Sequence, residues 1–291
     1  MKIFLDGEFV EKEDAKISVF DHGFLYGDGI FEGIRAYNGR VFRLNEHLDR
    51  LWGSAKAVNL KIPMFKKDME KVLIKTLSVN KISEAYVRLI VTRGCGGLSL
   101  DPQNCTKKSS VIIIPDLVEM YTQEIYEKGI EIVSVSTRKI KQDSLSSNVK
   151  SLNYLNNILA KIESVKSGAA DGVMLNNDGY VVGCTSDNIF VVKDDDLYTP
   201  DGCEGALIGI TRDAVIELAR NKSKIPVKER RLSLYDVYTA DECFLTGTAA
   251  EIIPVIAVDS RLIGDGKPGR MTLKLMKEFK ALVHSSGTPI K

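Results

Sequence analysis

The sequence has little histidine and no paired cysteines. Only His22, His47 and His284 occur, and no two are spaced as metal ligands. The five cysteines, Cys95, Cys105, Cys184, Cys203 and Cys243, form no CxxC or CxxH motif. His and Cys dominate the common metal sites, so no metal is expected. The start, MKIFLDGEFV, has no basic head followed by an apolar run, which predicts no secretion signal. An odd cysteine count without such a signal points to reduced thiols and a cytoplasmic protein. No stretch is long and apolar enough to span a bilayer. Net charge is only +1 over 291 residues, so neither nucleic acid nor an acidic membrane surface is an expected partner. Internal repeats and low-complexity tracts are missing too.

What remains is the make-up of a folded domain: 44% hydrophobic and 27% charged residues. The length suits one large domain or two smaller ones. KIFL and EFV around Asp6-Gly7 read as strands, and IFEGIRAY and RVFRL flank the hairpin signal Asn38-Gly39. Asn45 is expected to cap a helix over 46–58 and a second helix spans 67–79. AYVRLIVTRG and SSVIIIP read as strands. PDLVEMYTQEIYEKG then marks a boundary, giving a domain over 1–118, an interdomain segment over 119–129 and a domain over 130–291.

The second half opens with the strand IEIVSVSTRKI. A helix over 152–167 carries one apolar stripe of Leu152, Leu155, Ile158, Leu159, Ile162 and Val165. GVMLNNDGYVVG is a hairpin turning at Asn177-Asp178-Gly179, with DNIFVV, a helix over 210–221, ECFLTG, EIIPVIAV and a helix over 270–283 after it. Strands and helices mix in both halves with many hairpins, which favours two α+β domains.

Several residues carry possible chemistry. GIT at 209–211 opens a helix whose first amides can bind an anion, and TGTAA at 246–250 offers hydroxyls and exposed amides. Taken alone, each reads equally as an ordinary turn. Lys150 sits between a strand and an apolar-striped helix, where partial desolvation suits a Schiff-base lysine; a solvated lysine fits the same spacing. Tyr154 follows within reach of a cofactor oxygen. Arg50 is either a phosphate ligand or part of a solvated helix face. Tyr86 and Arg88 share a strand face, as carboxylate recognition or a structural ion pair would require.

Seven segments occur in order: FDHGFLYGDGIFEGIRAY, EHLDRL, AYVRLIVTRG, KSLNYLNNILAK, DNIFVV, GITRD and YTADECFLTGTAAEIIPV. Together they resemble the class IV (fold type IV) aminotransferases dependent on pyridoxal phosphate, closest to the branched-chain amino acid aminotransferases. The resemblance spans Met1 to about Lys280. It implies a two-domain α+β fold of the D-amino acid aminotransferase kind, with pyridoxal 5'-phosphate between the domains, and a homodimer or an assembly of dimers. It implies that Lys150 holds the cofactor covalently and moves the substrate's α-proton, and that Tyr154 bonds the cofactor's phenolic oxygen. Arg50, Ile210, Thr211 and Thr248 would bind the phosphate, with Gly183, Cys184, Thr185 and Gly247 also beside the cofactor. Tyr26, Phe31, Gly33, Arg35, Tyr86, Arg88, Ala249 and Ala250 would line the pocket for an amino acid or a 2-oxo acid.

The resemblance has one departure. Family members carry glutamate at the position of Gly183, in a pattern such as VVEGTGDNIF, where it serves the cofactor's pyridine nitrogen. In a straight strand, Asp187 would lie roughly 13 Å from Gly183, out of reach of that task. A neutral Cys184 thiol is a poor counter-ion. The implied activity is transamination between L-leucine, L-isoleucine or L-valine and 2-oxoglutarate, impaired by Gly183. D-amino acid aminotransferases and aminodeoxychorismate lyases share the same motifs. Gly183 also admits a pyridoxal phosphate binding protein without turnover.

Overall fold

The computed structural model describes residues 1–117 and 121–291. The chain divides into two compact units. The first comprises Met1–Val118, Val149–Asn153 and Val283–Lys291, the second Glu119–Asn148 and Tyr154–Leu282.

In the first unit, β1 (Lys2–Leu5), β2 (Glu8–Glu11), α1 (His22–Tyr26), β3 (Gly29–Tyr37), β4 (Arg40–Val41), α2 (Leu44–Ala57), α3 (Lys66–Val79), β5 (Ala85–Thr92) and β6 (Ser110–Asp116) follow in order. With the C-terminal strand Thr288–Pro289 they make a seven-stranded sheet, ordered Thr288–Pro289, β4, β3, β5, β6, β1, β2. Alternation along β3 and β5 sends Ile30, Ile34, Val87, Leu89 and Val91 into a core with Leu44, Leu48 and Leu51 of α2 and Leu73 and Leu77 of α3. α2 begins earlier than expected. Arg43, in the left-handed region at φ 46°, is the residue before its first turn, so Asn45 lies inside the helix and caps nothing.

The second unit contains α4 (Gln123–Lys128), β7 (Ile130–Ser134), α5 (Leu155–Lys166), β8 (Asp171–Leu175), β9 (Val181–Gly183), β10 (Asn188–Lys193), β11 (Asp196–Thr199), α6 (Ile210–Glu217), β12 (Val227–Glu229), α7 (Leu234–Tyr238), β13 (Glu242–Gly247), β14 (Glu251–Val258), β15 (Arg261–Leu262) and α8 (Arg270–Ser285). Its sheet runs β12, β11, β10, β13, β14, β7, β8, β9, with β15 beside β14. The expected strand IEIVSVSTRKI stops at Ser134, whose N–H donates to Asp259 Oδ1. The helix expected over 152–167 starts at Leu155.

The contiguous boundaries expected from the sequence differ from this division. Residues 149–153 count with the first unit because Ser151 bridges Ile30 and the Lys150 carbonyl accepts from the Phe31 N–H. The last nine residues, 283–291, join it because Thr288 pairs with Val41. Of the segment 119–129, residues 119 and 120 lie outside the described residues, and Gln123–Lys128 is helix.

Candidate active site

In the first unit, antiparallel pairing sets Gly33 opposite Arg88, Arg35 opposite Tyr86 and Phe31 opposite Ile90. Phe31, Gly33, Arg35, Tyr86 and Arg88 therefore share the sheet face turned away from the core. A Cβ on Gly33 would overlap the Tyr86 hydroxyl, so glycine is what lets that ring cross the strand. Lys150 is pinned by its backbone: its N–H donates to Ser54 Oγ at 3.1 Å and its carbonyl accepts from Phe31 at 2.9 Å. Its Nζ lies 4.4 Å from the Phe31 ring centroid, and the Arg88 guanidinium carbon lies 4.6 Å from the same centroid. The amine is half-buried on an aromatic face beside a second cation. Tyr26, on α1, sets its ring edge-on to His22 at 5.1 Å.

A buried acid on the core face of the same strand escaped the sequence reading. Glu32 is fully buried and accepts from Arg50 Nε at 2.8 Å, Arg50 Nη2 at 2.7 Å and His47 Nδ1 at 2.8 Å. His47 and Arg50 stand one helical turn apart on α2, so one carboxylate holds both. Burial pushes the Glu32 carboxyl up, but the Arg50 and His47 hydrogen bonds override it and hold it at about 2. Burial lowers the His47 pKa, Glu32 opposes this, and the charges of Arg50 and Lys150 act with burial. A neutral His47 donating from Nδ1 to an ionised Glu32 fits these directions. Arg50 is thus a clamped guanidinium rather than a residue of a solvated face.

The second unit builds its candidate residues from backbone and small side chains. Ile210 and Thr211 begin α6, and Gly209 before them supplies no side-chain cap. A Cβ on Gly209 would overlap Asn188 Oδ1, whose Nδ2 donates to the Leu207 carbonyl at 2.9 Å. Thr248, Ala249 and Ala250 form the turn between β13 and β14, where Gly247 pairs with Glu251. The Ala250 carbonyl accepts from Tyr126 Oη at 3.0 Å. Thr246 Oγ1, just before this turn, is buried with no hydrogen-bond partner among the described residues. Thr185 is fixed by Asp171: its Oγ1 donates to Asp171 Oδ1 at 2.5 Å, and its carbonyl accepts from Asn157. Tyr154 immediately precedes α5.

One expectation fails outright. β9 ends at Gly183, the chain folds back over 184–187, and β10 begins at Asn188. Cys184 N–H donates to the Asp187 carbonyl at 2.8 Å, and a Cβ on Gly183 would stand 2.9 Å from that same oxygen. The roughly 13 Å separation of a straight strand therefore does not exist. The Asp187 side chain nevertheless goes elsewhere: Oδ1 sits on Gly247, filling the space a Cβ would take there. Burial, then Asp171 and Asp187, pushes the Cys184 thiol well up, so Cys184 is neutral.

An amine fixed on an aromatic ring is a nucleophile, and an uncapped helix start is an anion receptor. Enzymes that hold a phosphorylated carbonyl compound on a lysine combine these two devices. Comparison with known proteins turns this class into a family. Residues 29–258 match the amino-transferase class IV family, and the chain belongs to it. A Methanocaldococcus jannaschii protein named "Putative branched-chain-amino-acid aminotransferase" is 50% identical over 280 residues, covering 96% of both chains. A Pseudomonas aeruginosa branched-chain-amino-acid aminotransferase is 37% identical, covering 97% of this chain and 92% of its own. The crystal structure of the Escherichia coli branched-chain amino acid aminotransferase superposes with a TM-score of 0.96 at 33% identity, covering 100% of this chain and 99% of that one.

Proposed function

We propose that this chain is a pyridoxal-phosphate-dependent branched-chain amino acid aminotransferase, exchanging amino and keto groups between L-leucine, L-isoleucine or L-valine and 2-oxoglutarate. The observation that carries the reading is the Lys150 amine on the Phe31 ring beside Arg88, in a chain of the class IV family. The substrate class rests on the names of the relatives. A Thermus structure of the same name, 33% identical with a TM-score of 0.92, is titled as holding pyridoxamine 5'-phosphate.

The residues present fit the cofactor. The uncapped start of α6 and the orphaned Thr246 hydroxyl suit an acceptor-rich phosphate, and Gly209 and Gly247 keep Cβ atoms out of the way. When bound, pyridoxal phosphate supplies a carbon that takes the amino group and a ring that accepts the electrons left by the departing α-proton. Lys150 holds the cofactor and moves the proton at the substrate's α-carbon. Arg50, clamped by Glu32, binds the phosphate, together with the Ile210 and Thr211 amides and Thr248. Tyr154 donates to the cofactor's phenolic oxygen. Gly183, Cys184, Thr185 and Gly247 flank it. Tyr26, Phe31, Gly33, Arg35, Tyr86, Arg88, Ala249 and Ala250 orient the substrate.

The same proposal includes a homodimer. Leu155, Ile158, Leu159, Ile162 and Val165 recur at helical spacing on α5, yet each is between 45% and 67% exposed. A stripe of that size needs a cover, and none of the helices is long and apolar enough to cross a membrane among the described residues. Ile158→Glu should shift the assembly to monomers in sedimentation; an unchanged sedimentation coefficient counts against this surface. We place the enzyme in the cytoplasm, in keeping with five free cysteines.

Borohydride reduction followed by peptide mapping should label the Lys150 peptide, and L-leucine should change the visible spectrum of the parent protein. Listeria D-alanine aminotransferases are 35% identical to this chain, so D-alanine is assayed beside L-leucine. Faster reaction of D-alanine replaces the substrate assignment. No reaction with either, despite a labelled Lys150, makes the chain a binding protein.

A further inference from the structure

The first unit carries a second cavity that the aminotransferase reading does not use, and the following inference is independent of that reading. Its volume is about 830 Å³, within the roughly 300–1,000 Å³ of small-molecule sites. Trp52, Ile62 and Met64, all packed on the core, supply apolar lining. Phe65 also lines it and is 82% exposed, so intramolecular packing does not explain that ring.

The charged lining is of one sign. Lys61, Lys66, Arg93, Lys107 and Lys108 contribute, and no Asp or Glu does. Two of these cations are already committed. Arg93 grips Asp28 and the Val58 and Asn59 carbonyls, and Lys66 pairs with Asp49 at 2.6 Å. Lys61, Lys107 and Lys108 make no ion pair among the described residues. The cavity wall also holds the start of α3: Phe65 precedes its first turn and provides no side-chain cap. The first amides of this 14-residue helix therefore add their partial positive charge to the same wall.

Aromatic surface beside three uncommitted lysines and an uncapped helix start matches a ligand with a flat ring and a compact multiple negative charge. We propose that this cavity binds a nucleoside phosphate, its base against Trp52 and Phe65 and its phosphates toward Lys61, Lys107, Lys108 and the α3 start.

Trp52 is the only tryptophan, so its emission reports on this cavity alone. The protein is kept saturated with pyridoxal phosphate, which stops a nucleotide phosphate from entering the cofactor's place. ADP should then change Trp52 emission saturably, with matching heat in calorimetry. The Lys61→Ala/Lys107→Ala/Lys108→Ala variant should bind ADP at least about tenfold more weakly, the size expected from losing charge-assisted contacts. Phe65→Ala should weaken ADP and leave inorganic pyrophosphate unaffected. Pyrophosphate and adenosine should each bind worse than ADP. The proposal is overturned by no saturable emission change or heat up to millimolar ADP, by equal ADP affinity in the triple variant, or by pyrophosphate binding as tightly as ADP.

Discussion

The two units hold their candidate site residues by opposite means. The first uses charged side chains tied to one another: Glu32 fixes Arg50 and His47 below the sheet, while Lys150 and Arg88 meet on the Phe31 ring above it. The second uses almost no charge. It offers helix-start amides, threonine hydroxyls, and glycines at 209 and 247 whose missing side chains make room for Asn188 and Asp187. Truncating a side chain should therefore damage the first unit, and adding one should damage the second.

The largest effect is expected at Lys150. Lys150→Ala removes the proton-transfer group, so exchange of the substrate's α-hydrogen should slow by about 10²–10⁴-fold. Rapid-mixing isotope exchange measures it. A loss of less than tenfold would move the proton transfer to another residue.

Next comes the clamp. Glu32→Ala leaves the half-buried Arg50 uncompensated and should cost about 3–5 kcal/mol of stability, since breaking a buried pair strands a charge. Urea unfolding reads this directly, and cofactor titration should show weaker binding. Acid should act through the same group. The Glu32 carboxyl titrates near 2 in the fold against 4.5 ordinarily. Between those values the unfolded chain binds the extra proton, so stability present above about pH 4.5 is lost as pH falls toward 2. His47, lowered from 6.5, adds a loss of the same sign that begins nearer neutrality. Glu32→Gln should flatten the slope below pH 4.5; an unchanged slope means another carboxylate dominates acid unfolding.

Gly247→Ala is the mirror-image test. The new methyl would overlap Asp187 Oδ1, and overpacking costs about 1–3 kcal/mol. Melting of the variant should drop accordingly, and the double variant Gly247→Ala/Asp187→Ala should recover part of the loss. If removing the Asp187 carboxylate restores nothing, Gly247 is required for its backbone and not for the space it leaves.

How much of this could be read beforehand follows the same division. Lys150, Arg50 and the glycine turns sit in sequence segments whose order carries the resemblance. Glu32 does not stand out, because FEGIR looks like an alternating strand. Its acid becomes meaningful only when α2 lays His47 and Arg50 over it. The α5 stripe was legible as a stripe, but a 3.6-residue period says which side chains share a face and not what that face meets. Asn45 has good capping chemistry, yet Arg43 adopts the left-handed conformation and starts the helix a turn early. The fold-back after Gly183 was hidden because VVGCTSDNIF reads as one apolar run, although Ser186 and Asp187 are turn formers.

The smallest effect, and the sharpest test of the second unit, lies at Gly183. Two consequences of adding a side chain there can be separated. Any Cβ meets the Asp187 carbonyl oxygen at 2.9 Å, so the 184–187 turn must yield by a few tenths of an ångström. Gly183→Ala and Gly183→Glu should both lose about 1 kcal/mol, the low end for overpacking, because a surface turn gives more readily than a core. Only the glutamate adds a carboxylate that the neutral Cys184 cannot replace. If that carboxylate serves the cofactor's ring nitrogen, Gly183→Glu should exchange the α-hydrogen of L-leucine faster than Gly183→Ala, by about tenfold for each 1.4 kcal/mol gained only in the transition state. Using the alanine variant as reference removes the steric cost from the comparison. Equal exchange rates in two folded, cofactor-loaded variants would mean that glycine at 183 costs the enzyme nothing. Unchanged melting of Gly183→Ala would mean that the 184–187 turn, unlike the Gly247 contact, tolerates an added side chain.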